Sequence, residues 1–198
     1  MSTGRIGYID TPAQGNVRGP GVIWCADNGC FGKGYPGDAE WIEWLTVNAV
    51  DAATCQFATA PDVVGDALAT LARSAPWLQV IRDLGYPAAL VAQDGLEDHV
   101  IPWETFDVLF IGGTTEWKLG TPARLIVSEA KAEGKRVHMG RVNSLRRLRY
   151  AEAIGCDTAD GTYLAFGPDV NLVRLNGWLD ALDNERCLFT TDAEGIAA

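Results

Sequence analysis

The chain has 198 residues, 47% of them hydrophobic, and a formal net charge of -10 at pH 7. That length suits one domain with a substantial core, and the composition excludes a disordered or low-complexity chain. No apolar run is long enough for a bilayer span, and Met1-Ser2-Thr3-Gly4-Arg5 lacks the apolar segment of a signal peptide, so a cytoplasmic location with no membrane partner is expected, the host cytoplasm for a phage-encoded chain.

The first strand candidate is Arg5–Ile9, within an N-terminal extension or strand over residues 1–20, and the second is Val22–Ala26, which ends at Asp27. Pro36-Gly37-Asp38 opens a helix running to Ala49, with Trp41, Trp44 and Leu45 as its apolar stripe. Cys55–Thr59 reads as the next strand, and Pro61-Asp62 opens a helix to Arg73. Two short buried strands follow, Ala88–Ala92 before Gln93 and Val108–Ile111 before Gly112-Gly113. Helices are predicted from Pro122 to Glu133, closed by Gly134, and from Ser144 to Ile154, closed by Gly155. Tyr163–Phe166 completes about eight strand candidates, and residues 176–198 read as a C-terminal helix and tail.

Strands alternating with helices predict a parallel α/β domain whose ligand site lies at the carboxyl ends of the strands. The first strand is not followed by a GxGxxG loop, and neither Gly112-Gly113 nor Gly32-Lys33-Gly34 completes a phosphate-loop spacing. The expectation is therefore a single-domain, compact TIM-type (β/α) barrel, tight for a fold that typically takes ~250 residues. Cys25, Cys30, Cys55, Cys156 and Cys187 form an odd, scattered set without a CxxC pair, which predicts reduced thiols rather than disulfides or a zinc knuckle.

Lining up the strand ends brings Asp27, Asp62, Gln93, Gly112-Gly113, Met139-Gly140 and Asp160 to one mouth. Carboxylates accept from ring N–H and amino groups, whereas Gln and backbone N–H groups serve a carbonyl, so this set suits a planar heterocycle such as guanine. Phe31 and Met139 would cover its faces. Asp27 and Asp62 also read as helix N-caps, and His99 and His138 as surface or packing residues. The charge is uneven: Lys131, Lys135, Arg136, Arg141, Arg146, Arg147 and Arg149 crowd a stretch opposed only by Glu133, a basic face on an acidic body or a solvated helix face.

Ala26-Asp27-Asn28-Gly29-Cys30-Phe31 resembles the Asp-Ser-Gly-Gly-Phe/Tyr segment of tRNA-guanine transglycosylases, and Val91-Ala92-Gln93-Asp94-Gly95 their Val-Gln-Gly segment. Ile111-Gly112-Gly113 resembles their Gly-Gly loop. Val137-His138-Met139-Gly140 followed by Gly155-Cys156-Asp157-Thr158-Ala159-Asp160 is similar to their Leu-Met-Gly, helix, Gly-Val-Asp-x-x-Asp. The ordered set spans roughly residues 21–175. The short length and Gly140-Arg141-Val142-Asn143-Ser144-Leu145-Arg146-Arg147-Leu148 look more like the DNA-acting branch, the DpdA-type transglycosylases of phages and bacteria.

That resemblance implies a transferase that replaces guanine in DNA by a 7-deazaguanine such as 7-cyano-7-deazaguanine, a queuosine-like base (preQ0), with no cofactor. It implies Asp160 as nucleophile and Asp27 as the group that binds the base edge and shuttles its proton. Asp62 and Gln93 would recognise the base, Gly112 and Gly113 offer backbone contact, Phe31 stack and Met139 floor the pocket. Asp157 would be a supporting or structural acid. Arg141, Arg146, Arg147 and Arg149 would meet the DNA backbone. The tRNA enzymes carry a Cys-rich zinc subdomain that this sequence lacks, so no metal is expected, and the tRNA-directed activity is the alternative together with a non-catalytic binder. Asn28 and Cys30 replace the usual Ser and second Gly, which implies a pocket of altered shape.

Overall fold

The computed structural model describes residues 4–15 and 17–187. Its strands are β1 (Tyr8–Asp10), β2 (Trp24–Ala26), β3 (Cys55–Thr59), β4 (Ala88–Ala92), β5 (Val108–Ile111), β6 (Arg136–Met139) and β7 (Thr158–Ala159). All pair in parallel and in sequence order. The helices are α1 (Asp38–Val47), α2 (Ala67–Asp83), α3 (Thr115–Lys118), α4 (Thr121–Ala132), α5 (Leu145–Ile154) and α6 (Pro168–Cys187). A doubly wound sheet would reverse its strand order at a switch point. This one never reverses, the connectivity of an α/β barrel-like sheet.

The sheet is strongly curled. β3 and β6 are three strand spacings apart, roughly 14 Å across a flat sheet, yet the rings of Phe57 and His138 meet at 4.8 Å between centroids. Below them Arg136 Nη2 donates to the Gln56 carbonyl at 2.6 Å. Two cores result. Phe57, Ala89, Val91, Val108 and Phe110 pack on the concave side with Cys25 against them. Trp24, Leu90, Leu109, Ile111, Val137 and Met139 face the helices in the larger outer core.

Among the described residues no ladder joins β1 to β7. A cleft of about 560 Å³ lies at that seam, lined by Tyr8, Ile9, Thr158 and Ala159 and by Leu175 and Trp178 of α6. Arg5 ties the approach to β1 to the same helix through Asp180 and Asp183, at 2.7 and 3.0 Å.

Four expectations are corrected by the structure. Tyr163–Phe166 is a 3₁₀ turn, not an eighth strand; the Asn171 amide donates to the carbonyls of Tyr163 and Phe166, groups a ladder would otherwise have taken. The helix expected from Asp62 starts at Ala67, where Asp66 is the cap and accepts from the Ala69 N–H at 2.9 Å. It runs past Arg73 to Asp83 because Leu78 and Ile81 are buried, while Pro76 sits on its exposed side. β1 falls at Tyr8–Asp10, shifted along the chain from Arg5–Ile9. The C-terminal helix begins at Pro168, ahead of the expected residue 176; its tail, residues 188–198, and the first three residues lie outside the described residues. None of the described helices is long and apolar enough to cross a membrane.

Candidate active site

The carboxyl ends of successive strands open into one cavity of about 350 Å³. Asp27 follows β2, Asp62 lies just beyond β3, Gln93 follows β4, Gly112-Gly113 follow β5 and Asp160 follows β7, and all of them line it together with Phe31 and Arg141. The sequence-predicted set is thus brought together, with one exception. Met139 is on the opposite side of β6, packed in the outer core, and does not line the cavity. Side chains alternate along a strand, so Val137 and Met139 face the helices and His138 faces inward.

His138 is the residue that sequence reasoning set aside. It is 2% exposed; its ring lies against Phe57 and Phe110, each at 4.8 Å between centroids. Nε2 stands 3.0 Å from Asp160 Oδ2, and Nδ1 2.7 Å from Thr158 Oγ1. The signal was present as parity: Phe110, His138 and Thr158 are register neighbours across β5, β6 and β7, and Asp160 lies two residues beyond Thr158 on the same face.

Asp160 is caged by donors. Oδ1 accepts the Arg141 backbone N–H at 3.0 Å and Oδ2 faces His138. Burial pushes its carboxyl upward, but the His138 hydrogen bond and charge, the Arg141 N–H and nearby Lys118 outweigh it and hold the group below the usual carboxylate range. Asp27 is the opposite case. Burial, offset in part by the Gly29 N–H at 3.1 Å and reinforced by the charges of Asp160 and Asp62, pushes it up to about 6. Neither Asp27 nor Asp62 caps a helix: Asp27 closes a tight turn onto Gly29, and the cap of α2 is Asp66.

Asp62 is 5% exposed and already embedded in a network. Asn28 Nδ2 donates to its Oδ1 at 2.9 Å and Gln93 Nε2 to its Oδ2 at 2.6 Å. Burial nevertheless raises its carboxyl above the ordinary value. Gln93 Oε1 accepts from the N–H groups of Gly65 and Gly113. Asn28, a departure from the resembled motif, therefore anchors Asp62, and its Oδ1 also takes the Cys30 N–H at 2.7 Å.

Arg141 is the hinge of the mouth. It is the one non-glycine at positive φ (62°) among the described residues, a costly conformation that lets its N–H reach Asp160. Its guanidinium donates to the carbonyls of Gly112 and Gly113 and lies 4.2 Å over the ring of Phe31, which is 65% exposed. The glycine carbonyls are thus held by protein, and Arg141 is committed to the pocket rather than to an outer surface. Lys118 Nζ, buried in α3, donates to the Gly140 carbonyl at 2.6 Å; burial, with Arg141 beside it, brings its ammonium down to about 8. A Cβ on Gly161 would meet the Val142 carbonyl at 2.5 Å, so only glycine lets the chain turn directly after Asp160.

The remaining arginines divide by position. Arg147 is half-buried and donates to the Arg141 carbonyl at 3.3 Å, whereas Arg146 and Arg149 are exposed along α5. Ser144 caps that helix by accepting the Arg147 N–H.

No family model matches the chain, and no curated protein is similar to it. Among solved structures it is similar to the EAL domain of Xanthomonas citri FimX in complex with c-diGMP, with a TM-score of 0.46 and 15% identity, over 72% of this chain and 58% of that one. The chain thus spans less than two thirds of that domain.

Proposed function

We propose that this chain exchanges a guanine base in DNA for a 7-deazaguanine such as 7-cyano-7-deazaguanine, by double displacement at Asp160. The observation that carries the reading is the pair of carboxylates in one cavity with opposed protonation tendencies: Asp160 held low by its donors, Asp27 pushed up to about 6 by burial. Acid and base assignments follow from such a split. Ionised Asp160 attacks C1′, the C1′–N9 bond breaks, and the departing guanine takes the proton of Asp27. Asp27, now a carboxylate, accepts the N9 proton of the incoming 7-deazaguanine; that nitrogen attacks C1′ and the ester bond to Asp160 breaks, restoring both groups. The chemistry parallels a retaining glycosidase with a base in place of water.

Phe31, backed by Arg141, offers a stacking face at the rim. Recognition of the base edge by Asp62 and Gln93 trades hydrogen bonds they now make with each other. A duplex would have to release its target base, at a few kcal/mol of unstacking. In this reading the curled seven-stranded sheet serves as a single-domain TIM-type barrel with α6 lying at the β1–β7 seam, working in the cytoplasm on DNA.

The test is incorporation of labelled 7-cyano-7-deazaguanine into DNA, with tRNA offered in parallel and Asp160→Asn as control. Incorporation into DNA by wild type alone is expected. Equal incorporation by the variant, or label entering tRNA only, overturns the assignment.

A further inference from the structure

We infer that His138, oriented by Thr158, is a positioning residue for Asp160: it fixes the rotamer of the carboxylate and keeps a donor on Oδ2 through both displacements. The inference rests on the base-exchange reading for its catalytic meaning, while the geometry stands on its own.

The concave core is otherwise apolar at this level, built from Cys25, Phe57, Ala89, Val91, Val108 and Phe110. An imidazole in such a place is costly unless both nitrogens are bonded, and here both are. An ionised carboxylate only accepts, so Nε2 carries the hydrogen toward Asp160. In the neutral ring, hydrogen on Nε2 leaves Nδ1 an acceptor that the Thr158 O–H matches, and in the charged ring Nδ1–H donates to the same oxygen. Thr158 thus holds the orientation of the ring in both states and selects the tautomer in the neutral one, the role a carboxylate plays behind other functional histidines. The rings of Phe57 and Phe110 fix the plane of the imidazole.

The consequence is geometric and electronic. Oδ1 is held by the Arg141 N–H and Oδ2 by His138, so the carboxylate cannot rotate, and each oxygen keeps a lone pair for C1′. In the second displacement Asp160 is the leaving group, and the charge that returns to Oδ2 as the ester bond breaks meets a donor already in place. The other ionisable groups that act on Asp160 are Lys118 of α3 and Arg141 after β6, with Cys25 of β2 and Asp27 on the facing strand ends.

The chain has two histidines, which makes the test direct. In ¹⁵N-histidine-labelled protein, with His99→Gln to assign the remaining signal, a ring carrying hydrogen on Nε2 is expected; a bare Nε2 overturns the inference. His138→Phe keeps the packing with Phe57 and Phe110 but removes the donor, and is expected to lower kcat/KM for base incorporation roughly 100-fold and to move the acid limb of its pH profile to higher pH. His138→Gln, whose amide nitrogen stands near the place of Nε2, is expected to restore most of that loss and return the limb. Thr158→Val is expected to cost several-fold and to leave a mixture of tautomers in the ¹⁵N spectrum, a readout that holds even where His138→Phe fails to fold. Wild-type rate and an unmoved acid limb in a folded His138→Phe would overturn the role. Should wild type incorporate nothing, the base-exchange reading falls, and the ¹⁵N spectrum alone decides whether His138 holds Asp160.

Discussion

Asp157 and Asp160 bracket the same two-residue strand and are held in opposite ways. Asp157 lies at the base of the sheet, where both its oxygens meet Lys131 Nζ at 2.8 Å and Oδ2 also accepts the Val137 N–H at 2.7 Å. Its partners are a cation and the backbone of the neighbouring strand, and its side chain is 39% exposed. Asp160, at the mouth, lines a cavity, and its partners are a buried imidazole and the N–H of a residue in a strained conformation. The first arrangement makes a brace, since a half-exposed pair contributes little beyond fixing β6 to β7. The second keeps a carboxylate ionised, rigid and open on one side, which is what a nucleophile requires. Residue type and sequence spacing did not separate the two; the end of the strand each occupies did.

The sharpest way to break this contrast is to remove one oxygen's charge at each end. Asp160→Asn should abolish base incorporation, a loss on the order of 10⁴-fold or more, while the fold persists, because an amide can still accept the Arg141 N–H. Asp157→Asn should leave the rate within a few-fold of wild type. A comparable loss from both variants, measured by labelled-base incorporation, would make the two acids equivalent and dissolve the distinction.

A second comparison sets Asp160 against Asp27 across the mouth. With Asp160 held below the ordinary carboxylate value and Asp27 near 6, the form that the proposed base exchange requires, Asp160 ionised and Asp27 protonated, fills the window between them. The kcat/KM profile for guanine release should therefore be a bell whose alkaline limb falls near pH 6, and Asp27→Asn should remove that limb along with most of the activity. Stability should move the other way. A carboxyl raised on folding costs stability above its folded value and nothing below its unfolded one. Asp27→Asn is therefore expected to stabilise the protein by roughly 3 kcal/mol at pH 7, a gain that fades as the pH falls from about 6 and is nearly gone at about 4. Urea titrations at pH 7 and at about pH 4 would check it.

The strand-and-helix alternation made the parallel α/β class legible, because buried strands are short apolar runs and helices end at glycines such as Gly134 and Gly155. The polar residues at strand ends were legible for the same reason: Asp27, Gln93 and Asp160 directly follow their apolar runs. What failed was parity and partnership. The Leu-Met-Gly resemblance puts Met139 on the pocket floor, but a strand residue's face depends on its count along the strand, which turns Met139 to the outer core and puts His138 inside. Asp62 looked like a cap because Pro61 precedes it, yet the chain extends to Asp66 before coiling, and Asp62 turns inward to Asn28 and Gln93. Arg141 looked like one more cation of a basic run; its positive φ and its hold on Gly112, Gly113 and Phe31 are tertiary properties that charge patterning does not carry. Tyr163–Phe166 had the composition of a strand, and a single side chain, Asn171, is what satisfies its carbonyls in a turn.

The brace at the base can be measured as stability. Asp157→Ala strips Lys131 of its partner and leaves the Val137 N–H without its side-chain acceptor. Because the pair is more than a third exposed, the ionic share is small, and the expected cost is about 1 kcal/mol, most of it from the backbone group. Lys131→Ala should cost less. A loss of several kcal/mol in Asp157→Ala would mean that the base end is cooperatively tied to the mouth, and incorporation by that variant should then fall in parallel.

The smallest effect is expected at the surface and concerns the two ends again. α5 descends from the mouth at Ser144 to the base at Gly155, with Arg146 exposed in its first turn. Arg147 is partly spent on the Arg141 carbonyl, and Lys131 on Asp157. If DNA lies across the mouth, Arg146 neutralises a phosphate and Lys131 does not. Arg146→Ala should weaken DNA binding uniformly across sequences and lower the log–log salt slope by about 1, whereas Lys131→Ala should leave the slope unchanged. Binding isotherms between low and moderate salt separate the cases. An equal drop for both would move the nucleic acid away from the mouth and toward the whole basic stretch, and an unchanged slope for both would return Arg146 to a solvated helix face, leaving the cavity to act on a free nucleoside or base.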